Sequence, residues 1–109
     1  MDPREERVAR NESTSREINE GIQEAHEDAG PTEQIRMLCE CGHRTCERVI
    51  AITPAEYERV RSDGRRFAVV LDHVIPDVEE IVEETDRYVV VVKREGTPAD
   101  VALEEDPRS

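Results

Sequence analysis

Residues 35–52 read IRMLCECGHRTCERVIAI and contain all three cysteines of the chain, Cys39, Cys41 and Cys46. The segment starts and ends with short runs, IRMLC at 35–39 and RVIAI at 48–52, whose β-branched and apolar residues are typical of strands. We therefore predict two short strands that are joined by the cysteine-rich stretch. In this arrangement the three thiols lie together at the tip of a hairpin, where Gly42 allows the backbone to turn.

The number and spacing of the cysteines indicate a metal site. Three thiols lie within eight residues, and an odd number does not suit a disulfide framework. Zn²⁺ prefers four tetrahedral ligands, and thiolate sulfur and imidazole nitrogen match its borderline-soft character. The pattern therefore predicts a structural zinc ion on Cys39, Cys41, Cys46 and one further ligand.

The chain offers three histidines for the fourth position, His26, His43 and His73. His26 falls in an acidic, helical segment and is most simply a solvated residue. His43 lies inside the cluster, but the short loop would have to turn all four side chains inward. His73 follows a predicted strand, so the fold could return it to the hairpin tip and clip the two halves of the domain together. We favour His73, with His43 or no protein ligand as the alternatives.

Two other interpretations of the cysteines stay open at this point. They could be ordinary reduced residues, since free cysteine often behaves as a small core hydrophobe. Cys39 could also form a reversible disulfide with Cys41 or Cys46, as in a thiol-based redox sensor or enzyme. Zinc-hydrolase, deaminase, P-loop and serine-hydrolase motifs are all missing from the sequence. Glu40 and Glu47 are weak candidates for a catalytic base, so we expect no enzymatic activity.

Charge divides the chain into three parts. The formal net charge is -12, from 27 acidic and 15 basic residues, and most of it lies on the flanks: -6 over 1–34, -2 over 35–94 and -4 over 95–109. We predict an acidic amphipathic helix over 1–30, a compact zinc-binding α+β domain over 34–94, and a disordered acidic tail over 95–109. The acidic flanks disfavour nucleic acid and anionic membranes as partners. Residues 35–94 alone, with a charge of only -2, disfavour such partners less strongly.

Local patterns predict the other elements of an α+β fold with a small antiparallel sheet. Helical spacing runs over 4–29, where Ile18 and Ile22 could rest on the domain, and Gly30-Pro31 ends it. Thr53-Pro54-Ala55-Glu56 forms a capping box that starts a short helix. Residues 66–71 and 88–93 read as strands, with 88–93 in the centre of the sheet. Residues 78–84 are ambiguous between helix and strand, and we favour a strand.

A basic group accompanies these elements, made of Arg59, Arg61, Arg65, Arg66 and Lys93-Arg94. A solvated surface is the ordinary meaning of such charges. An anion site is the alternative, although one Phe, two Tyr and no Trp leave little for bases to stack on. The acidic flanks could also fold over the arginines and neutralise them.

Several residues spread over most of the chain form a familiar series: Ala9-Arg10-Asn11-Glu12, residues 16–20 (REINE), Cys39-Glu40-Cys41, Cys46, Ile50, Thr53, Glu56-Tyr57, Val60-Arg61, Phe67, His73 and residues 88–93 (YVVVVK). In this order the chain resembles a family of small uncharacterised actinobacterial proteins. The resemblance implies a compact, cysteine-rich, metal-binding domain with an N-terminal helix. It brings no established activity with it.

The function predicted from these observations is that of a small cytoplasmic module that a structural Zn²⁺ stabilises and that binds another protein in a regulatory role. The partner would be a basic protein, or a second copy of the chain through the N-terminal helix. A cytoplasmic location follows from the absence of a signal-peptide pattern and of a long apolar run in the sequence. A thiol redox protein is the alternative function, and weak binding of nucleic acid through the arginines is a third.

Overall fold

The order of helices and strands confirms the α+β class. The structure is a computed structural model that describes residues 3–43 and 45–108. Its elements are α1 (Pro3–Ala25), β1 (Ile35–Leu38), β2 (Val49–Ile52), α2 (Pro54–Val60), β3 (Arg66–Val69), a 3₁₀ turn (Leu71–His73), β4 (Glu79–Glu84), β5 (Val89–Lys93) and α3 (Thr97–Glu104).

The strands form two antiparallel sheets in place of the single small sheet that the sequence predicts. The first is the β1–β2 hairpin, in which Leu38 pairs with Val49 beside the cysteine loop. The second has the order β3-β5-β4, so β5 is central, as predicted. Residues 79–84 form a strand, which confirms the favoured interpretation of this segment. The two sheets share one hydrophobic core that includes Met37, Ile50, Phe67 and Val91.

Helix α2 starts at the predicted capping box. The Glu56 amide donates to Oγ1 of Thr53 over 3.1 Å, and the Thr53 amide donates to Oε1 of Glu56 over 2.9 Å. These two bonds satisfy backbone groups that the first turn of a helix leaves without partners. Tyr57 and Val60 are buried on the inner face of α2, as predicted.

Helix α1 packs against the domain through a polar face, which the apolar pattern of the sequence does not indicate. Ala9 is buried together with Glu12, Ser13, Arg16 and Asn19, a set with helical spacing. Of the two predicted contact residues, Ile22 packs against the core whereas Ile18 is 47% exposed. The prediction for Ile18 is therefore wrong, because the buried polar residues turn it towards solvent.

The segment after β5 differs from the predicted disordered tail. Residues 97–104 form α3, and Ala99, Val101 and Ala102 are buried on one of its faces. The sequence predicts disorder here because the tail has few large apolar residues, but small side chains allow a short helix to pack closely. Among the helices that the structure describes, none is both long and apolar enough to cross a membrane.

Candidate metal centre

Two loops bring the cysteines and His73 together. The first loop follows β1, where the Cys39 amide donates to the Arg48 carbonyl over 3.0 Å and extends the hairpin by one bond. The second is the 3₁₀ turn Leu71–His73, which follows β3 of the other sheet. The Glu40 amide donates to the Ala68 carbonyl of β3 over 2.8 Å, and this bond holds the two loops side by side. The site therefore lies where the two sheets meet.

The donor atoms of the four residues form a tight group. Nδ1 of His73 lies 3.6 Å, 3.4 Å and 3.3 Å from the sulfur atoms of Cys39, Cys41 and Cys46 respectively. All four donor atoms lie within 4.8 Å of one another. In a tetrahedron with Zn–S near 2.3 Å and Zn–N near 2.0–2.1 Å, sulfur and nitrogen are about 3.6 Å apart. The four residues could therefore hold a metal ion.

Backbone amides surround the sulfur atoms. The Val70 amide donates to Sγ of Cys39 over 3.3 Å. The hydrogen bond with Cys41 is the main cause that lowers the pKa of the Cys39 thiol, and the Val70 amide lowers it further. Amide donors favour the thiolate form, in which cysteine binds metals.

The other two thiols, Cys41 and Cys46, have raised pKa values. The hydrogen bond with Cys39, followed by burial, raises the pKa of Cys41, and burial raises the pKa of Cys46. The amides of His43 and Arg48 act in the opposite direction on Cys41 and Cys46 respectively. A bound cation would act in the same direction as these amides and lower both pKa values, because it favours the deprotonated thiols strongly.

Burial differs across the site. Cys39 and Cys41 are each only 3% exposed, whereas Cys46 and His73 are partly exposed. All three cysteines are free thiols, so none is withdrawn from the site by a disulfide. The group is therefore closed on its inner side and accessible from solvent on the side of Cys46 and His73.

The other two histidines lie outside the donor group. The His43 ring is exposed and makes an edge contact with the His73 ring, with centroids 5.4 Å apart and planes at 66°. Nδ1 of His26 lies 2.8 Å from the Ile22 carbonyl on the exposed end of α1, which agrees with a solvated helix residue. The structure thus brings together the cysteines and the histidine that we favoured.

Glu40 has a role that sequence reasoning missed. Its side chain is fully buried between two of the donors, and its Oε1 accepts from the Ala68 amide over 2.9 Å. Its Oε2 accepts from the Tyr57 hydroxyl over 3.0 Å and from Nδ2 of Asn19 over 2.9 Å. Burial raises the pKa of this carboxyl, and the Ala68 amide opposes that shift. Both oxygens are engaged in structural bonds, so Glu40 does not fit the role of a free catalytic base.

Carboxylates pair with three of the arginines that the sequence grouped together, Arg59, Arg61 and Arg65. Arg59 pairs with Glu83 over 2.6 Å, and Arg65 pairs with Asp63 over 2.9 Å. The buried Arg61 pairs with Glu20 of α1 and with Asp106 beyond α3. For Arg61, the flanks therefore do neutralise the charge, as one interpretation of the sequence predicted.

Comparisons of the chain with protein-family models, with curated proteins and with solved structures find no match.

Proposed function

We propose that the protein binds one structural Zn²⁺ ion through Cys39, Cys41, Cys46 and His73, and that the resulting domain is a protein-interaction module. The observation that carries the proposal is the spacing of the donors: the three distances from sulfur to Nδ1 run from 3.3 to 3.6 Å. Three thiolates and one imidazole suit zinc better than the hard cations Mg²⁺ and Ca²⁺, which prefer oxygen ligands.

A structural ion fits this site better than a catalytic one. Four protein ligands fill the tetrahedral positions of zinc, whereas catalytic sites keep one position for water. The donors also come from both sheets, since the cysteine loop belongs to the first sheet and His73 follows β3 of the second. An ion here would tie the sheets together, and a chain of 109 residues with a small core gains stability from such a tie.

The interaction role rests on the surface. The chain carries a formal charge of -12, and α1 presents exposed acidic side chains such as Glu17 and Glu24 beside the 47%-exposed Ile18. Such a surface suits a basic protein partner, or a second copy that packs Ile18 against its equivalent. The cytoplasmic location belongs to the same proposal, because free thiols suit a reducing compartment. Membership of the family of small actinobacterial proteins that the sequence resembles is also part of this proposal.

The zinc content of the purified full-length protein tests the first part. We expect one zinc per chain by elemental analysis, a lower thermal midpoint by circular dichroism when a strong chelator removes the ion, and recovery when zinc returns. A metal-free protein that stays folded and cycles between thiols and a disulfide would instead support the alternative, a thiol redox protein.

Sedimentation analysis tests the choice of partner. Ile18→Glu leaves the buried face of α1 unchanged, because Ile18 lies on the exposed side. If the partner is a second copy, the wild type should form dimers as its concentration rises and Ile18→Glu should remain monomeric. Monomers at all concentrations would exclude self-association, and a basic protein would then be the remaining candidate partner.

A further inference from the structure

Helix α1 covers the same short segment that supplies two of the four donors. Residues 38–42 contain Cys39 and Cys41, and α1 contacts this segment at three of its five residues, Leu38, Glu40 and Gly42. The contacts are polar or very close, so they depend on the exact position of the loop. The packing of the helix should therefore change when the loop leaves its metal-binding conformation.

Asn19 makes the central contact. Its Oδ1 accepts from the Leu38 amide over 2.8 Å, and its Nδ2 donates to the Leu38 carbonyl over 2.9 Å. The same Nδ2 donates to Oε2 of Glu40 over 2.9 Å. Asn19 is fully buried, so loss of these bonds would leave polar groups in the interior without partners, which is costly. A single α1 side chain thus holds the residues on both sides of Cys39.

Glu40 extends this contact to the strand that precedes His73. Its carboxylate accepts from Asn19 on one oxygen and from the Ala68 amide on the other. Ala68 lies on β3, and two residues later the Val70 amide donates to Sγ of Cys39. The chain from Asn19 through Glu40 to β3 therefore runs beside the donor group without including any donor.

Gly42 makes the third contact. A side chain at this position would overlap Val8 of α1, because a Cβ atom would lie 2.8 Å from the Val8 carbonyl oxygen and would also overlap Cγ1 of Val8. Nδ2 of Asn11 donates to the Gly42 carbonyl over 3.2 Å. The backbone of α1 thus lies directly against the residue that follows Cys41.

We propose that α1 supplies the outer shell of the metal centre, with Asn19 as a positioning residue, so that metal binding and docking of α1 strengthen each other. The inference rests on the proposed zinc site. Without metal, the loop is less constrained to the conformation that α1 contacts. Helix α1 therefore packs less tightly against it. Linkage requires the reverse effect to be equal: weaker docking of α1 lowers zinc affinity by the same factor.

Amide hydrogen exchange on the full-length protein tests the first direction. Peptides from α1 are compared with and without one equivalent of zinc, with peptides over 38–46 as an internal reference. We expect zinc to slow exchange in both regions. If zinc binds and slows exchange over 38–46 while α1 is unchanged, the coupling is refuted and the zinc site survives. If the wild type binds no zinc, the proposed function itself fails.

Zinc affinity of α1 variants tests the reverse direction, by competition with a chromophoric chelator. Asn19→Ala leaves every donor in place, and we expect about tenfold weaker affinity, the lower end of the range for direct partners of metal ligands, because Asn19 bonds the neighbours of Cys39. Glu17→Ala, on the exposed side of the same helix, is the matched control and should bind zinc as the wild type does. Equal affinities for all three proteins would overturn the proposal.

A charge swap separates positioning from a general loss of structure. Asn19→Asp is nearly isosteric but places a carboxylate against that of Glu40, so we expect weaker zinc binding than in Asn19→Ala. Adding Glu40→Gln restores a donor opposite the new carboxylate and should recover part of the affinity. Cobalt substitution should show the same thiolate-to-metal absorption bands in each variant. If Glu40→Gln instead adds a further, independent loss, Asn19 and Glu40 are not coupled and the proposal is wrong.

Discussion

Lys93 on β5 donates from Nζ to Oε1 of Glu79 over 2.8 Å, and both side chains are only about 1% exposed. The same ammonium group also pairs with Glu12 of α1, which is equally buried. One buried cation therefore faces two carboxylates from different elements. Full ionisation of both would leave an excess negative charge in the core, which is unfavourable at low dielectric.

The first prediction concerns the pH dependence that follows for Glu12. Burial raises its pKa from an ordinary 4.5 to about 7, although Lys93 opposes the shift. The folded protein therefore holds a proton that the unfolded chain loses above about pH 4.5. This group should make the free energy of unfolding fall as pH rises from about 4.5 to about 7 and level off above that. Chemical denaturation at a series of pH values measures the effect.

Glu12→Gln separates this group from the cysteines, which also titrate. The glutamine resembles the protonated glutamate, so the stability of the variant relative to wild type should increase from pH 5 to pH 8. Glu17→Gln, an exposed position on the same helix, should follow the wild-type curve. A constant difference between Glu12→Gln and wild type over this range would refute the assignment of the shift to Glu12.

The second prediction compares two glycines. Gly42→Ala places a methyl group against the backbone of Val8, whereas Gly21→Ala in α1 meets nothing within 4 Å. We expect Gly42→Ala to lower the free energy of unfolding by about 1–3 kcal/mol, as overpacking typically does. Gly21→Ala should raise it by roughly 0.5–1 kcal/mol, because alanine favours the helix. Urea denaturation of the two variants measures both effects. Equal stabilities would contradict the close contact between α1 and Gly42.

The third prediction concerns two arginines of similar appearance in the sequence. Arg61 has a fully buried side chain that pairs with Glu20 and Asp106, while the Arg59 side chain is 58% exposed. Arg61→Ala removes the buried cation that Glu20 and Asp106 share, although Arg108 still pairs with Glu20, and should cost about 3 kcal/mol of stability. Arg59→Ala breaks a surface pair with Glu83 and should cost no more than about 1 kcal/mol. Similar thermal midpoints for the two variants would show that Arg61 is not the buried link between the flanks.

The fourth prediction distinguishes His73 from His43. His73→Ala removes a donor and should weaken zinc binding by more than the roughly 100-fold upper range for outer-shell changes. His43→Ala removes only an edge contact with the His73 ring and should change the affinity by less than about tenfold. Competition with a chelator measures both. The reverse order of effects would assign the fourth donor to His43.

Local patterns in the sequence account for much of this fold. The cysteine-containing hairpin, the capping box at Thr53 and the central strand β5 all depend on neighbouring residues, so short stretches suffice to predict them. Local geometry argues only against His43, because the short loop cannot easily turn four side chains to one point; the return of His73 to the cysteines depends on contacts between the two sheets. The division into two sheets depends on contacts between distant strands, which local patterns do not contain.

The buried face of α1 could not be predicted from hydrophobic spacing. Glu12, Arg16 and Asn19 are buried because each has a partner far along the chain, such as Lys93 for Glu12. Arg16 donates to the carbonyls of Gly64 and Ala102 over 2.6 Å and 2.7 Å. A polar residue is stable in the interior only with such partners, and nothing in the helix's own sequence reveals them.

X-ray absorption at the zinc edge of the purified, full-length protein tests the central claim most directly. The account predicts three sulfur scatterers at about 2.3 Å and one nitrogen at about 2.0–2.1 Å. In His73→Ala the three sulfur scatterers should remain while the imidazole signal disappears. A zinc ion surrounded only by nitrogen and oxygen, or a purified wild-type protein that takes up no zinc, would contradict the account.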